Sequence, residues 1–215
     1  GQVDQQYLSF ALKKITNDDL AKLCAAYPGI DGLTIENSKD LTSIAPVAEL
    51  KGLRGIKLGD TKVADLSPLA GLTEMQVLEL SGKELGPDLK WMSGMTKLTN
   101  IGISAGKALV SFQGIPQRPK LQRIKLNSAA PADLTPLLAL PALTSIDFNS
   151  CTINDISPLA KLANLTDLNL YGATISDFGP LSEAPQLKKL TYYATKGSDY
   201  STLGKLTQVE NLQGG

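Results

Sequence analysis

The residues that could do chemistry in this 215-residue chain, two cysteines and 21 acids among them, are spread out along it. There is no histidine, which removes the commonest general base and the commonest metal ligand. Ser-His-Asp and Cys-His arrangements are excluded on that count alone. The two cysteines, Cys24 and Cys151, stand too far apart in the repeat order described below to share a zinc ion. Gly52, Gly55 and Gly59 match neither a Walker loop nor a dinucleotide fingerprint. Aspartates recur singly, in Asp65-Leu66-Ser67-Pro68, Asp133-Leu134-Thr135-Pro136, Asp155-Ile156-Ser157-Pro158 and Asp177-Phe178-Gly179-Pro180. A calcium cage needs several oxygens converging on one point. Carboxylates spread one per phrase read instead as turn and helix-start residues. The residues thus point to no enzyme, no metal and no cofactor.

What must position these side chains is a repeat. Leu53-Arg54-Gly55-Ile56-Lys57-Leu58 reads L-x-x-L-x-L. The spacing returns at Met75/Leu78/Leu80, Leu98/Ile101/Ile103, Leu121/Ile124/Leu126, Leu143/Ile146/Phe148, Leu165/Leu168/Leu170 and Leu187/Leu190/Tyr192. Ile30/Leu33/Ile35 precedes them and Val209/Leu212 begins one more. Successive first positions are 23, 22, 23, 23, 22, 22, 22 and 22 residues apart. That period is the signature of a leucine-rich repeat solenoid. The fold class is therefore α/β: a right-handed superhelix with parallel strands on the concave face and short 3-10 or helical turns on the convex face. In the S-P pairs, serine is read as capping a helical turn and proline as filling its first position.

The ends divide the chain. Residues 1–29 are read as an N-terminal helical cap, and 30–215 as about eight full repeats plus a partial ninth. Thr16-Asn17-Asp18-Asp19 reads as a capping box with Asp in place of Glu, and Leu20, Leu23, Cys24 and Tyr27 then share one helical face. That face covers the first repeat's core. The stretch Tyr7–Leu12 reads as a further helix. No cap is visible after Leu212, so pairing of the C-terminal strand edge with a second copy is expected to give at most a weak homodimer.

Composition sets further limits. A 42% apolar share is ample for a continuous core. Basic and acidic residues balance at 21 each, which argues against nucleic acid or an anionic membrane surface as partner. No apolar run approaches the roughly 20 residues of a membrane span, and no targeting signal is visible. Cys24 and Cys151 lie about five repeats apart, near ~25 Å at strand spacing, so they are expected to be unbonded buried thiols.

The D-I/L-S-P-L phrase with its 22-residue period resembles the internalin type of bacterial leucine-rich repeat protein, over roughly residues 16–212. The resemblance implies an exported binding module (periplasmic, surface or secreted). The sequence departs from that pattern where asparagine is usual after the strand. Thr61, Lys83, Cys151 and Ala173 stand there, so the turn hydrogen bonds must be met otherwise. No immunoglobulin-like segment and no wall-anchoring tail are visible.

On such a scaffold the residues between the leucines face outward. The later repeats place Arg123, Lys125, Asp147, Asn149, Asp167, Asn169, Tyr171, Lys189 and Tyr193 there. Tyrosine and arginine are the usual hot-spot residues of interfaces, so this half of the concave face is the expected site for a protein partner. Two structural alternatives stand beside it: Tyr171 and Tyr193 stacking on each other, and Lys125 neutralising Asp147. Trp91, in a repeat that has lost its Ser-Pro, is either a second contact or a ring laid across its neighbour. Two other functional readings are an intracellular or periplasmic inhibitor or immunity-type binder of a bacterial enzyme or toxin, and a self-assembling repeat protein.

Overall fold

The computed structural model describes residues 8–82, 89–104, 111–113, 115, 119–196 and 199–214. Ten parallel strands run in one sheet in chain order. They are β1 (Ser9–Lys13), β2 (Gly32–Glu36), β3 (Gly55–Gly59), β4 (Val77–Ser81), β5 (Asn100–Ser104), β6 (Arg123–Asn127), β7 (Ser145–Asn149), β9 (Asp167–Asn169), β11 (Lys189–Thr191) and β12 (Asn211–Gln213). Two short strands, β8 (Thr152–Ile153) and β10 (Thr174–Ile175), pair separately. Between strands the chain returns through 3-10 turns such as Ala45–Glu49, Ser67–Leu69, Thr135–Ala139 and Gly179–Glu183, or a single α-turn, α2 (Ser157–Ala160).

The leucine phrase explains this order. Within each strand the residues alternate, so Ile56 and Leu58, Leu78 and Leu80, and Ile124 and Leu126 all point inward and are buried. Pro68, Pro136, Pro158 and Pro180 sit at the first turn of their segments, and Leu69, Leu137, Leu159 and Leu181 close the core from that side. One apolar cluster runs from Leu20 to Leu206. Seven of the strands, β1, β2, β3, β6, β7, β9 and β11, are followed within three residues by one in the left-handed region: Lys14, Asn37, Asp60, Ser128, Ser150, Gly172 and Ala194. This is where the chain turns out of the sheet.

Two expectations need correction. The segment read as a helix over Tyr7–Leu12 is the strand β1 (Tyr7 itself lies outside the described residues). Its period is two, not 3.6: Phe10 and Leu12 pack against the core while Ser9, Ala11 and Lys13 face out. The expected cap over 1–29 therefore contains a sheet strand as well as a helix. That helix, α1 (Asn17–Ala26), has the reciprocal capping box of Thr16 and Asp19. It buries Leu20 and Cys24, whereas Tyr27 is exposed, its ring centroid 5.0 Å from that of Phe10.

The second correction concerns the S-P phrases. Ser67, Thr135 and Ser157 do not cap their turns. The aspartate two residues earlier does: Asp65, Asp133, Asp155 and Asp177 accept from the backbone N–H of Ser67, Thr135, Ser157 and Gly179 at 2.9, 2.8, 2.8 and 2.7 Å. Asp199 does the same for Ser201 at 2.9 Å. Such Asx turns are a known habit of aspartate. Hydrogen bonds from Ser67, Thr135, Ser157 and Ser201 hold Asp65, Asp133, Asp155 and Asp199 below the ordinary carboxylate range. A depressed folded-state pKa gives stability that is present above the unfolded value of about 3.9 and lost as pH falls through the folded value. Urea titrations from pH 6 down to pH 2 are expected to show that loss. Asp133→Asn, which keeps the acceptor but not the charge, is expected to reduce it by the share of one carboxylate.

The missing asparagine column is replaced by the backbone. Thr152, Thr174 and Lys196 donate their N–H to the carbonyls of Ala129, Cys151 and Ala173 at 2.9, 2.8 and 2.9 Å, so each turn hangs on the next. Ser38, fully buried, donates to the Glu36 carbonyl at 3.0 Å and accepts from the Ile15 N–H at 3.2 Å. The Cys151 sulfur lies 3.6 and 3.5 Å from the carbonyl oxygens of Leu126 and Asn149. Lys83 lies outside the described residues. Both cysteines are free and buried, and burial pushes the Cys151 thiol up to about 11.

Candidate binding groove

The outward residues of the sheet fall into columns fixed by strand register. One column reads Thr34, Lys57, Glu79, Gly102, Lys125, Asp147 and Asn169 across β2 to β9. Its neighbour reads Gly32, Gly55, Val77, Asn100, Arg123, Ser145, Asp167 and Lys189. From Lys57 in the first column and Asn100 in the second onward, they line one groove of about 550 Å³ that runs from Lys57 to Thr191, whereas Gly32, Thr34, Gly55 and Val77 line a second hollow beside it.

Six of the nine expected residues line it: Arg123, Lys125, Asp147, Asp167, Asn169 and Lys189. The other three, Asn149, Tyr171 and Tyr193, stand beyond its lining, at or just past the C-terminal ends of their strands. Tyr171 is 51% exposed and Tyr193 42%. Among the described residues no ring contact joins them, so the stacked pair is not formed. The Tyr171 backbone is fixed instead, its N–H donating to Asn169 Oδ1 at 3.0 Å. The aromatic cluster of this end is a different one. Phe178, Tyr192 and Tyr200 pack with ring centroids 5.9 to 6.0 Å apart.

Charges in the groove are partly paired. Lys189 meets Asp167 at 3.3 Å, Lys57 meets Glu36 at 2.8 Å, and Lys125 meets Asp147 at a long 3.8 Å. Solvent-screened pairs of this kind contribute little to stability. They leave the site polar without fixing it. Asp147 is the unusual member. Burial pushes its carboxyl up, opposed by Lys125 and by a hydrogen bond from Asn169. Its Oδ1 is buried with no hydrogen-bond partner. Arg123 is exposed and makes no ion pair among the described residues.

The groove also reaches residues outside the expected set: Lys57, Glu79, Asn100, Gly102 and Asn127. Their signal was present in the columns. Small residues at Asn100, Gly102 and Ser104 make room, whereas a search for large side chains passes over them.

Trp91 lies away from this groove. It is half-buried against the core, while Leu89, Met92 and Met95 fill the core positions beside it. On the return side, side-chain amides tie each repeat to the one before. Asn164 donates to the Pro141 carbonyl at 2.8 Å, Gln186 to that of Leu162, and Gln208 to that of Leu181 at 2.8 Å. No helix among the described residues is long and apolar enough to cross a membrane.

No protein-family model matches the chain, and no curated protein matches it. Solved structures do. An internalin, InlF, of Listeria monocytogenes matches with a TM-score of 0.74 at 22% identity, over 95% of this chain and 59% of its own. The chain thus spans about three fifths of that internalin's length. Internalin C2 of the same species matches with a TM-score of 0.72 at 27% identity, over 89% of this chain and 83% of its own. A third, TLR13 solved as a complex with ssRNA13, matches with a TM-score of 0.66 at 18% identity, over 96% of this chain and 35% of its own.

Proposed function

We propose that this internalin-type leucine-rich repeat protein is a non-catalytic binding module of an exported bacterial protein, holding a protein partner on the C-terminal half of its concave sheet face. The observation that carries the reading is one groove that gathers Arg123, Lys125, Asp147, Asp167, Asn169 and Lys189 beside two exposed tyrosines with no ring contact to each other. Tyrosine and arginine dominate interface energetics because they bring large contact area with a polar end. Exposed rings with no ring partner gain that area only by docking. The internalin likeness supports export and a binding role. The lack of histidine in the sequence supports a role without catalysis.

The test is capture from bacterial lysate and from host-cell extract, with wild type beside a Tyr171→Ala/Tyr193→Ala double variant. We expect one protein held by the wild type and reduced at least tenfold by the double variant, about 1.4 kcal/mol or more. The melting temperature of the variant should stay within a few degrees, because both rings are exposed. The source of the captured protein separates an exported binder from an inhibitor of a bacterial enzyme or toxin. Equal capture by both forms would remove the tyrosines from the site. Capture of RNA in place of protein would move the reading toward nucleic acid.

A further inference from the structure

The groove changes character across three adjacent strands. On β5 the outward residues are Asn100, Gly102 and Ser104, all short. In register on one side stand Val77, Glu79 and Ser81 of β4, and on the other Arg123, Lys125 and Asn127 of β6. Strand β5 is therefore the floor of a trough with Glu79 rising on one side and Arg123 and Lys125 on the other. The floor is low at Gly102, where the missing side chain leaves room that the Glu79 side chain borders: a Cβ built there would stand in ordinary contact with Glu79 Cγ at 3.4 Å.

The walls differ in charge. The β4 wall carries Glu79, and the apolar Val77, 39% exposed, stands next to it at the adjoining hollow. The β6 wall carries two cations that the fold under-compensates. The cross-strand neighbours of Arg123 are Asn100 and Ser145, neither charged. Lys125 has Asp147 at 3.8 Å, beyond hydrogen-bond reach. The next carboxylate, Asp167, is engaged by Lys189 at 3.3 Å. Across the trough, Lys57 is engaged by Glu36 at 2.8 Å. Arg123 is thus the groove cation with no carboxylate among the described residues, and Lys125, held only loosely by Asp147, stands beside it. A guanidinium suits that role, since it takes a carboxylate through two parallel hydrogen bonds.

We propose that the trough over β5 receives an extended acidic segment of the protein partner, with a carboxylate of that segment bound by Arg123 and Lys125. The proposal rests on the protein-binding reading above and names the chemistry of the bound segment. Glu79 repels a carboxylate on its own side, so the acid faces β6 and the apolar part of the segment lies against Val77. Short floor residues matter because a backbone must come close enough for a side chain to reach Arg123.

The experiment uses the full chain and fluorescein-labelled octaglutamate, with octalysine and an eight-nucleotide uridine RNA as comparisons, read by fluorescence anisotropy at low salt. We expect octaglutamate to bind and octalysine to bind at least tenfold more weakly. Arg123→Glu/Lys125→Glu should lose at least tenfold in octaglutamate affinity, and Glu79→Gln should gain. Both basic residues are exposed, so an unchanged melting temperature controls for folding. No binding of octaglutamate, binding unaffected by the charge reversal, or tighter binding of the RNA would each overturn the proposal. The protein-binding reading fails separately: protein capture with no octaglutamate binding leaves it standing, and octaglutamate binding with no protein captured from either extract does not.

Discussion

Replacing Phe148 with alanine is expected to cost about 3–5 kcal/mol of stability, the usual range for a fully buried phenylalanine. Its ring is completely buried inside β7, 6.4 Å from that of Phe112, and its strand position sits in register with Leu126. In a stacked array each unit contacts only its neighbours, so a cavity in one repeat weakens the interfaces on both sides. Val77→Ala, on the exposed side of the same sheet, removes little buried area and should stay within about 0.5 kcal/mol. Urea unfolding of both variants checks this. A Phe148→Ala loss under about 1 kcal/mol would mean that the core does not close at that layer.

Gly94→Ala is the second large effect, and it contrasts with Gly71→Ala. Both glycines lie in the turn that follows the return segment of a repeat, after Ser67–Leu69 and Lys90–Met92. A Cβ built at Gly94 would lie 2.8 Å from the carbonyl oxygen of Ala70 in the preceding repeat, whereas nothing lies within 4 Å at Gly71. The clashing atom is backbone, so relief requires the two repeats to separate. Gly94→Ala is therefore expected to destabilise by about 1–3 kcal/mol, the range for overpacking. Gly71→Ala is expected to be neutral or slightly stabilising, because it lowers the freedom of the unfolded chain. Thermal melts in parallel check the pair. Equal melting temperatures would mean that the stack yields at Gly94.

Much of this architecture was legible because the leucine period is a direct record of strand and return. Leu53, Ile56 and Leu58 announce a strand that is found at Gly55–Gly59, and Ser67-Pro68 announces the turn that follows. What the period could not reveal was settled by local competition. Phe10 and Leu12 alternate with short residues, and the unpaired edge of β2 takes them up as a strand although the segment lies before the first full repeat. Asp65 outcompetes Ser67 as the cap because its carboxylate reaches the N–H two residues ahead. The column Asn164, Gln186 and Gln208 is plain in the sequence once its function is known. It sits just before the first leucine of each phrase, a place that core patterning ignores.

The candidate site was legible in part. Residue type and alternation suffice to bring Arg123, Lys125, Asp147, Asp167, Asn169 and Lys189 to one face. They do not say where the face is deep. Depth comes from what is absent at Gly102 and Asn100, and it moves the centre of the groove one to two strands toward the N-terminus. Tyr171 and Tyr193 remain exposed because their positions lie past the last paired residue of β9 and β11, where the chain leaves the sheet.

The most direct test of the account is a steric block. Ser145 lies in the groove between Arg123 and Asp167 in register, whereas Glu183 ends the return segment Gly179–Glu183 on the other side. The measurement is the Kd of the captured partner for Ser145→Trp and for Glu183→Trp, by titration calorimetry. A rise of at least tenfold for Ser145→Trp with less than twofold for Glu183→Trp is the predicted result. An unchanged Kd for Ser145→Trp, or a loss confined to Glu183→Trp, would place the partner off the concave face and contradict it.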